Sequence, residues 1–183
     1  MNLFEAIDFL KENQPLPDDR VLETKSEILE KFNEVRKYFL ENPNPICISL
    51  FINSFGNGSG FGIYQLIEDV LLMYSSGQVI PHLIKGLKSQ KYGIKYWSTQ
   101  IASSFPNNKL IDPLAKLLKD KRSDVRYAAI VALAEIDDKR ALDLIKNAQK
   151  LEEDTEVLEL IEEVISNLVL LSTNLHSSIF RHL

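Results

Sequence analysis

The sequence predicts an all-α chain in which helix pairs stack into an α-α superhelix behind an N-terminal helical cap. Apolar residues recur at helical spacing, as at Leu110, Ile111, Leu114, Leu117 and Leu118, then at Val125, Ala128, Ala129, Ala132, Leu133 and Ile136. The only β-rich run, 46–52, lies among helices. The chain also repeats. A shift of 31 positions lays Val79 on Leu110, Ile80 on Ile111, Leu83 on Leu114, Ile94 on Val125, Tyr96 on Tyr127 and Ile101 on Ala132. The same shift lays Ile52 on Leu83, Ile63 on Ile94 and Val70 on Ile101, while Val157 meets Val125 after a one-residue slip. A fixed period of this size marks a solenoid, because one helix pair cannot bury its own stripe and stacked neighbours bury it jointly.

The elements follow in order. Leu3, Phe4, Ile7 and Leu10 share a face of a first helix over 2–13, which the prolines of 14–19 break. Asp18 or Asp19 can cap a second helix from about Val21 to Leu40. Residues 46–55 read as a buried helix and 56–62 as a loop rich in glycine. Ile63 to Tyr74 is helical by its spacing, and Ser75-Ser-Gly77 stops it. Helices follow over 79–88, with Pro81 in the first turn, and over 92–105. The pair in 110–136 comes next, with the polar turn Asp120–Asp124 between its helices. Arg140 to Leu151 and a long helix ending near Leu171 complete the stack. The chain then reads as one domain, with a cap over 1–45, helix pairs over 46–171 and a tail over 172–183.

A 183-residue chain with 45% hydrophobic residues can bury a substantial core. The one cysteine, Cys47, cannot form an internal disulfide and reads as a buried apolar group in a reducing compartment. The chain starts without a basic-then-apolar leader, and no apolar run approaches the ~18 residues of a membrane span. The expectation is a cytoplasmic, soluble protein. Its net charge of −5 is segregated: residues 1–78 carry −6, residues 79–150 carry +7 and residues 151–183 carry −6. A basic middle reads either as solvated helix faces or as a surface for an acidic partner or nucleic acid.

The run Leu114…Leu117-Leu118-x-Asp120…Val125-Arg126…Ala128-Ala129…Ala132-Leu133 resembles the short bacterial form of HEAT repeats. The resemblance covers about residues 46–165 and implies a right-handed α-α superhelix. It also implies a ladder between repeats made by the turn aspartate and the second-helix arginine, here Asp120 and Arg126. The preceding repeats carry Ser89 with Lys95 and Gly58 with Tyr64 at these positions, so the expected ladder is incomplete.

Catalytic clusters are poor. His82, His176 and His182 are the only histidines and none stands near Cys47, so neither catalytic residues, nor a cofactor, nor a metal is expected. The glycines at 56, 58, 60 and 62 do not form a phosphate loop: Phe61 replaces the third glycine, no strand precedes, and no Gly-Lys-Ser/Thr is present. In the family the second helices line the concave side. The shift of 31 then aligns Gln65, Tyr96 and Tyr127, and likewise Asp69, Gln100 and Val131. The expected partner-binding face is Tyr64, Gln65, Glu68, Asp69, Tyr96, Trp97, Gln100, Arg126 and Tyr127. Aromatic side chains with a few charges suit a protein hot spot. The stretch Ser54–Leu71, followed by paired repeats, resembles small HEAT-repeat immunity proteins, which implies a secreted toxin domain as partner. The competing reading is a DNA-binding protein or alkylpurine DNA glycosylase using Trp97, Tyr96 and Asp69. The acidic total weighs against nucleic acid, and nothing here points specifically to a third family relative, a chromophore lyase.

Overall fold

Polar caps and apolar stripes set the helices. A computed structural model describes residues 1–179, with side chains described through residue 167. His182 lies outside the described residues, and so does the side chain of His176. Among the described residues there are eleven α-helices and no strand. The helices are α1 (Leu3–Glu12), α2 (Asp19–Leu22), α3 (Ser26–Glu41), α4 (Ile46–Ser54), α5 (Ile67–Leu71), α6 (Ser76–Leu87), α7 (Tyr92–Ala102), α8 (Ile111–Leu117), α9 (Ser123–Ala134), α10 (Lys139–Gln149) and α11 (Thr155–Ile179). None is long and apolar enough to cross a membrane.

The fold is a helical solenoid. Pairs α6/α7, α8/α9 and α10/α11 stack in order, and α1 and α3 pack on the N-terminal end against α4 and α5. Successive second helices (α7, α9, α11) pack more extensively than successive first helices (α6, α8, α10), so the second helices form the inner side of the arc. The interior repeats as the sequence does. Ile67, Ser98 and Ala129 are buried in register, as are Val70, Ile101 and Ala132, and Leu71, Ala102 and Leu133.

Several boundaries differ from expectation. Thr24 and Lys25 split the expected 21–40 helix. The Thr24 hydroxyl donates to the Val21 carbonyl at 2.9 Å, and Lys25 leaves helical geometry at φ −130°. Helix α6 starts at Ser76, where Ser75 and Gln78 form a capping box. Pro81 therefore lies inside the helix rather than in its first turn, and the exposed Gly77 loses its helical donor. The last helix runs to Ile179, past the expected end near Leu171 and into the expected tail.

The 63–74 helix opens as a 3₁₀ turn, Tyr64–Leu66, before α5. With three residues per turn, Tyr64 and Ile67 share a side. Tyr64 is thus buried, and Ile63 is only half-buried where Ile94 and Val125 are interior. Tyr64 meets Phe32, Phe55 and Trp97 edge to face at 5.6–6.0 Å. Cys47 is also buried, 3.4 Å from the Tyr74 hydroxyl, and burial pushes its thiol up to about 11.

Asp19 does not cap a helix; it clamps the glycine loop. Its carboxylate accepts the Ser59 and Gly60 amides at 2.8 and 2.9 Å and the Ser59 hydroxyl at 3.2 Å. The Trp97 indole donates to the Gly58 carbonyl at 2.9 Å. Held so, Phe61 sits at φ +49°, a conformation bulky residues avoid, with 58% of its surface exposed. Asp19→Ala is expected to cost about 1–3 kcal/mol and to speed hydrogen exchange at Ser59 and Gly60 while α9 and its neighbours keep their protection.

Candidate protein-binding face

The inner side is built from α7, α9 and the start of α11. Tyr96 and Gln100 lie one turn apart on α7, and the Gln100 amide donates to the Tyr96 hydroxyl at 2.8 Å. Tyr127 stands on α9 with 40% of its surface exposed. These three line a groove of about 260 Å³ together with Asp124, Asp154 and Glu156. Asp154 caps α11, its carboxylate accepting the Glu156 and Val157 amides at 3.1 and 3.3 Å.

Tyr92 braces the groove from behind. Its ring stacks on Tyr96 at 5.7 Å, and its hydroxyl donates to Asp124 at 2.7 Å. The Arg122 guanidinium lies 3.7 Å from the centre of the Tyr92 ring and also binds Asp124 at 3.0 Å. Burial pushes the Asp124 carboxyl up, but Arg122 and Tyr92 outweigh it and hold the group below its usual range.

The expected face is therefore only partly one site. Tyr96, Gln100 and Tyr127 come together. Gln65 and Asp69 are exposed on the α5 segment, which leans on α3. Glu68 accepts the Ser104 hydroxyl at the end of α7. Tyr64 is withdrawn into the core, because the 3₁₀ turn rotates it inward. Trp97 is half-buried, stacked on Phe55 at 5.9 Å and anchored to the glycine loop. Arg126 is committed elsewhere. Its guanidinium grips Glu152 in a two-pronged pair at 2.7 and 2.6 Å and donates to the Asp120 carbonyl at 2.9 Å.

These contacts make the ladder more complete than the sequence implied. Lys95 pairs with Asp120 of the next repeat, and Arg126 pairs with Glu152 of the one after. Asp120 and Arg126 do bridge repeats, but through Lys95 and Glu152 rather than side chain to side chain. Bonds from Arg126, aided by backbone amides, outweigh burial and hold Glu152 below the usual carboxylate range. The pair also borders a second cavity of about 530 Å³ between α8 and α10, with Leu118, Leu144 and the 79% exposed Leu151 among its lining.

A family model described as HEAT repeats matches residues 80–166, which run from within α6 to about the middle of α11. This segment is similar to HEAT repeats. No curated protein matches the chain significantly. The match begins inside α6; α4 and α5, which the sequence placed in the repeats, lie outside it and pack against the cap. In the matched segment the site residues missed by the sequence reading are Tyr92, behind the groove, and Asp124, Asp154 and Glu156, which line it. Two signals pointed to them: Tyr92 stands one helical turn before Tyr96, and Asp154-Thr155 is a helix-start sequence.

Proposed function

We propose that the chain is a non-catalytic protein-binding module that holds a basic partner on its inner wall, and that it acts in the cytoplasm as an immunity-type protein neutralising a bacterial toxin. One observation carries the reading. On α7 and α9 the only cations are Lys95 and Arg126, and carboxylates of this chain occupy both. The wall left to a partner is tyrosine, glutamine and carboxylate. The many lysines of the basic middle, among them Lys85, Lys88, Lys116, Lys119 and Lys121, are exposed on first helices and turns. The +7 of that stretch therefore faces outward, whereas phosphate binding would need cations concentrated in the groove.

The immunity role rests on the resemblance around Ser54–Leu71 and on the fit of an acidic wall to a basic nuclease cleft. The test is capture of the purified toxin domain encoded beside this chain. Tight binding is expected, with Tyr96→Ala/Tyr127→Ala weakening it by about thirtyfold or more while the circular dichroism spectrum persists. Absence of binding would end the immunity reading. Retention on DNA that declines steeply with salt would replace the protein-binding reading with the nucleic-acid one.

A further inference from the structure

We infer that the groove between Tyr96 and Tyr127 is an arginine-binding site, a receptor for one guanidinium group presented by the partner. The inference deepens the protein-binding reading above and rests on it.

The groove has the size and lining for a single side chain. It measures about 260 Å³, and none of the residues that line it is a lysine or arginine. Tyr96 and Tyr127 supply aromatic walls; Asp124, Asp154 and Glu156 supply acid. Asp124 is spent on Arg122 and Tyr92, and one oxygen of Asp154 is spent on capping α11. The other Asp154 oxygen and the exposed Glu156 have no bonding partner in this chain among the described residues. Against the three carboxylates stand Arg122 and the N-termini of α9 and α11, each of which acts as about half a positive charge. The groove thus keeps a net negative charge of about one, and a cation entering it gains from the imbalance.

The chain itself indicates which cation. Arg122 lies over the Tyr92 ring at 3.7 Å while its Nε and Nη2 reach Asp124 at 3.3 and 3.0 Å. That is a guanidinium stacked on a tyrosine and forked onto a carboxylate. Next to it, Tyr127 with Asp154 and Glu156 offers the same ring-and-carboxylate pairing to solvent. A planar guanidinium can use both the ring and the carboxylate fork at once. An ammonium group has no flat face to stack and no fork to match.

The experiment titrates isotope-labelled protein with N-acetyl-arginine methylamide, its lysine counterpart and its glutamate counterpart, read by amide and tyrosine-ring shifts. Saturable arginine binding in the range of about 1–20 mM is expected, with shifts centred on residues 123–127 and 154–157. The lysine probe is expected to bind about threefold or more weakly, and the glutamate probe not to bind. Tyr127→Ala and Asp154→Asn/Glu156→Gln are each expected to weaken arginine binding by about tenfold. Asparagine caps helices as well as aspartate does, so the second variant keeps the start of α11. Glu27→Gln/Glu30→Gln on α3 changes the net charge equally and is expected to leave binding unchanged. Shifts that fail to saturate, that spread over all acidic faces, or that survive Tyr127→Ala would overturn the assignment. Because the probe contains no partner, a failure here with toxin binding intact would remove the arginine site and leave the wall reading standing.

Discussion

Replacing Arg126 by alanine is expected to remove about 3–5 kcal/mol of folding stability, the cost of stranding one member of a buried ion pair. Glu152, 5% exposed at its side chain with Arg126 in place, keeps only the amides of Glu153 and Asp154 as donors. The Asp120 carbonyl also loses its donor. Urea unfolding measures the loss. Arg126→Met/Glu152→Met is expected to be less destabilised than either single methionine variant, because no buried charge is then unpaired. Acid provides a second check. The folded-state pKa of Glu152 is below its ordinary 4.5, so its contribution is fully present above that pH and is lost as pH falls through the folded value. Glu152→Gln should therefore unfold less steeply with acid below pH 4.5 than the parent protein, though it is less stable at neutrality. An unchanged midpoint in Arg126→Ala would mean that the ladder does not hold the repeats together.

Gly93→Ala is expected to cost about 3 kcal/mol or more, although alanine is the better helix former. A β-carbon at residue 93 would lie 1.9 Å from the Gly56 carbonyl oxygen and 2.4 Å from its carbon. Both are backbone atoms, and the loop they belong to is tied down by Asp19, Trp97 and Asn57, so it has little room to yield. Gly77→Ala is the matched control. Its β-carbon would meet only the Ser75 hydroxyl at 3.9 Å, and a gain of up to about 1 kcal/mol is expected from helix propensity. Opposite signs at two helical glycines would separate close packing from intrinsic preference. Equal effects would show that the approach of α7 to the glycine loop is not tight.

Much of the architecture was legible because a 31-residue period acts on burial directly. Residues such as Leu83 and Leu114, or Ile101 and Ala132, fill equivalent interior positions because each helix meets an equivalent neighbour. The first pair escaped that logic. Its partner on one side is the cap, so α5 leans on α3, and a 3₁₀ turn moves Tyr64 from the expected face into the core. Periodicity also locates positions without saying who their neighbours are. It set Lys95 and Arg126 in line, but their partners Asp120 and Glu152 come from the turns of following repeats. The groove was half visible for a similar reason: Tyr96 and Tyr127 share the repeat, whereas Asp154 and Glu156 belong to the start of a helix shifted by the one-residue slip.

Among the described side chains, cohesion is graded along the stack. Near the beginning, Phe32, Phe39, Phe51, Phe55 and Tyr64 interlock as fully enclosed rings. At the far end, α10 encloses only Ala141 and Ile145, and the described side chains of α11 add Val157 and Ile161. Since each brick leans only on its neighbours, heat should peel this array from its last pair inward. The acid-lined groove straddles α9 and α11, so it belongs to the soft end. Recognition would then fade while the aromatic end was still intact, and a ligand seated there would act as a clasp on the part of the molecule that frays first.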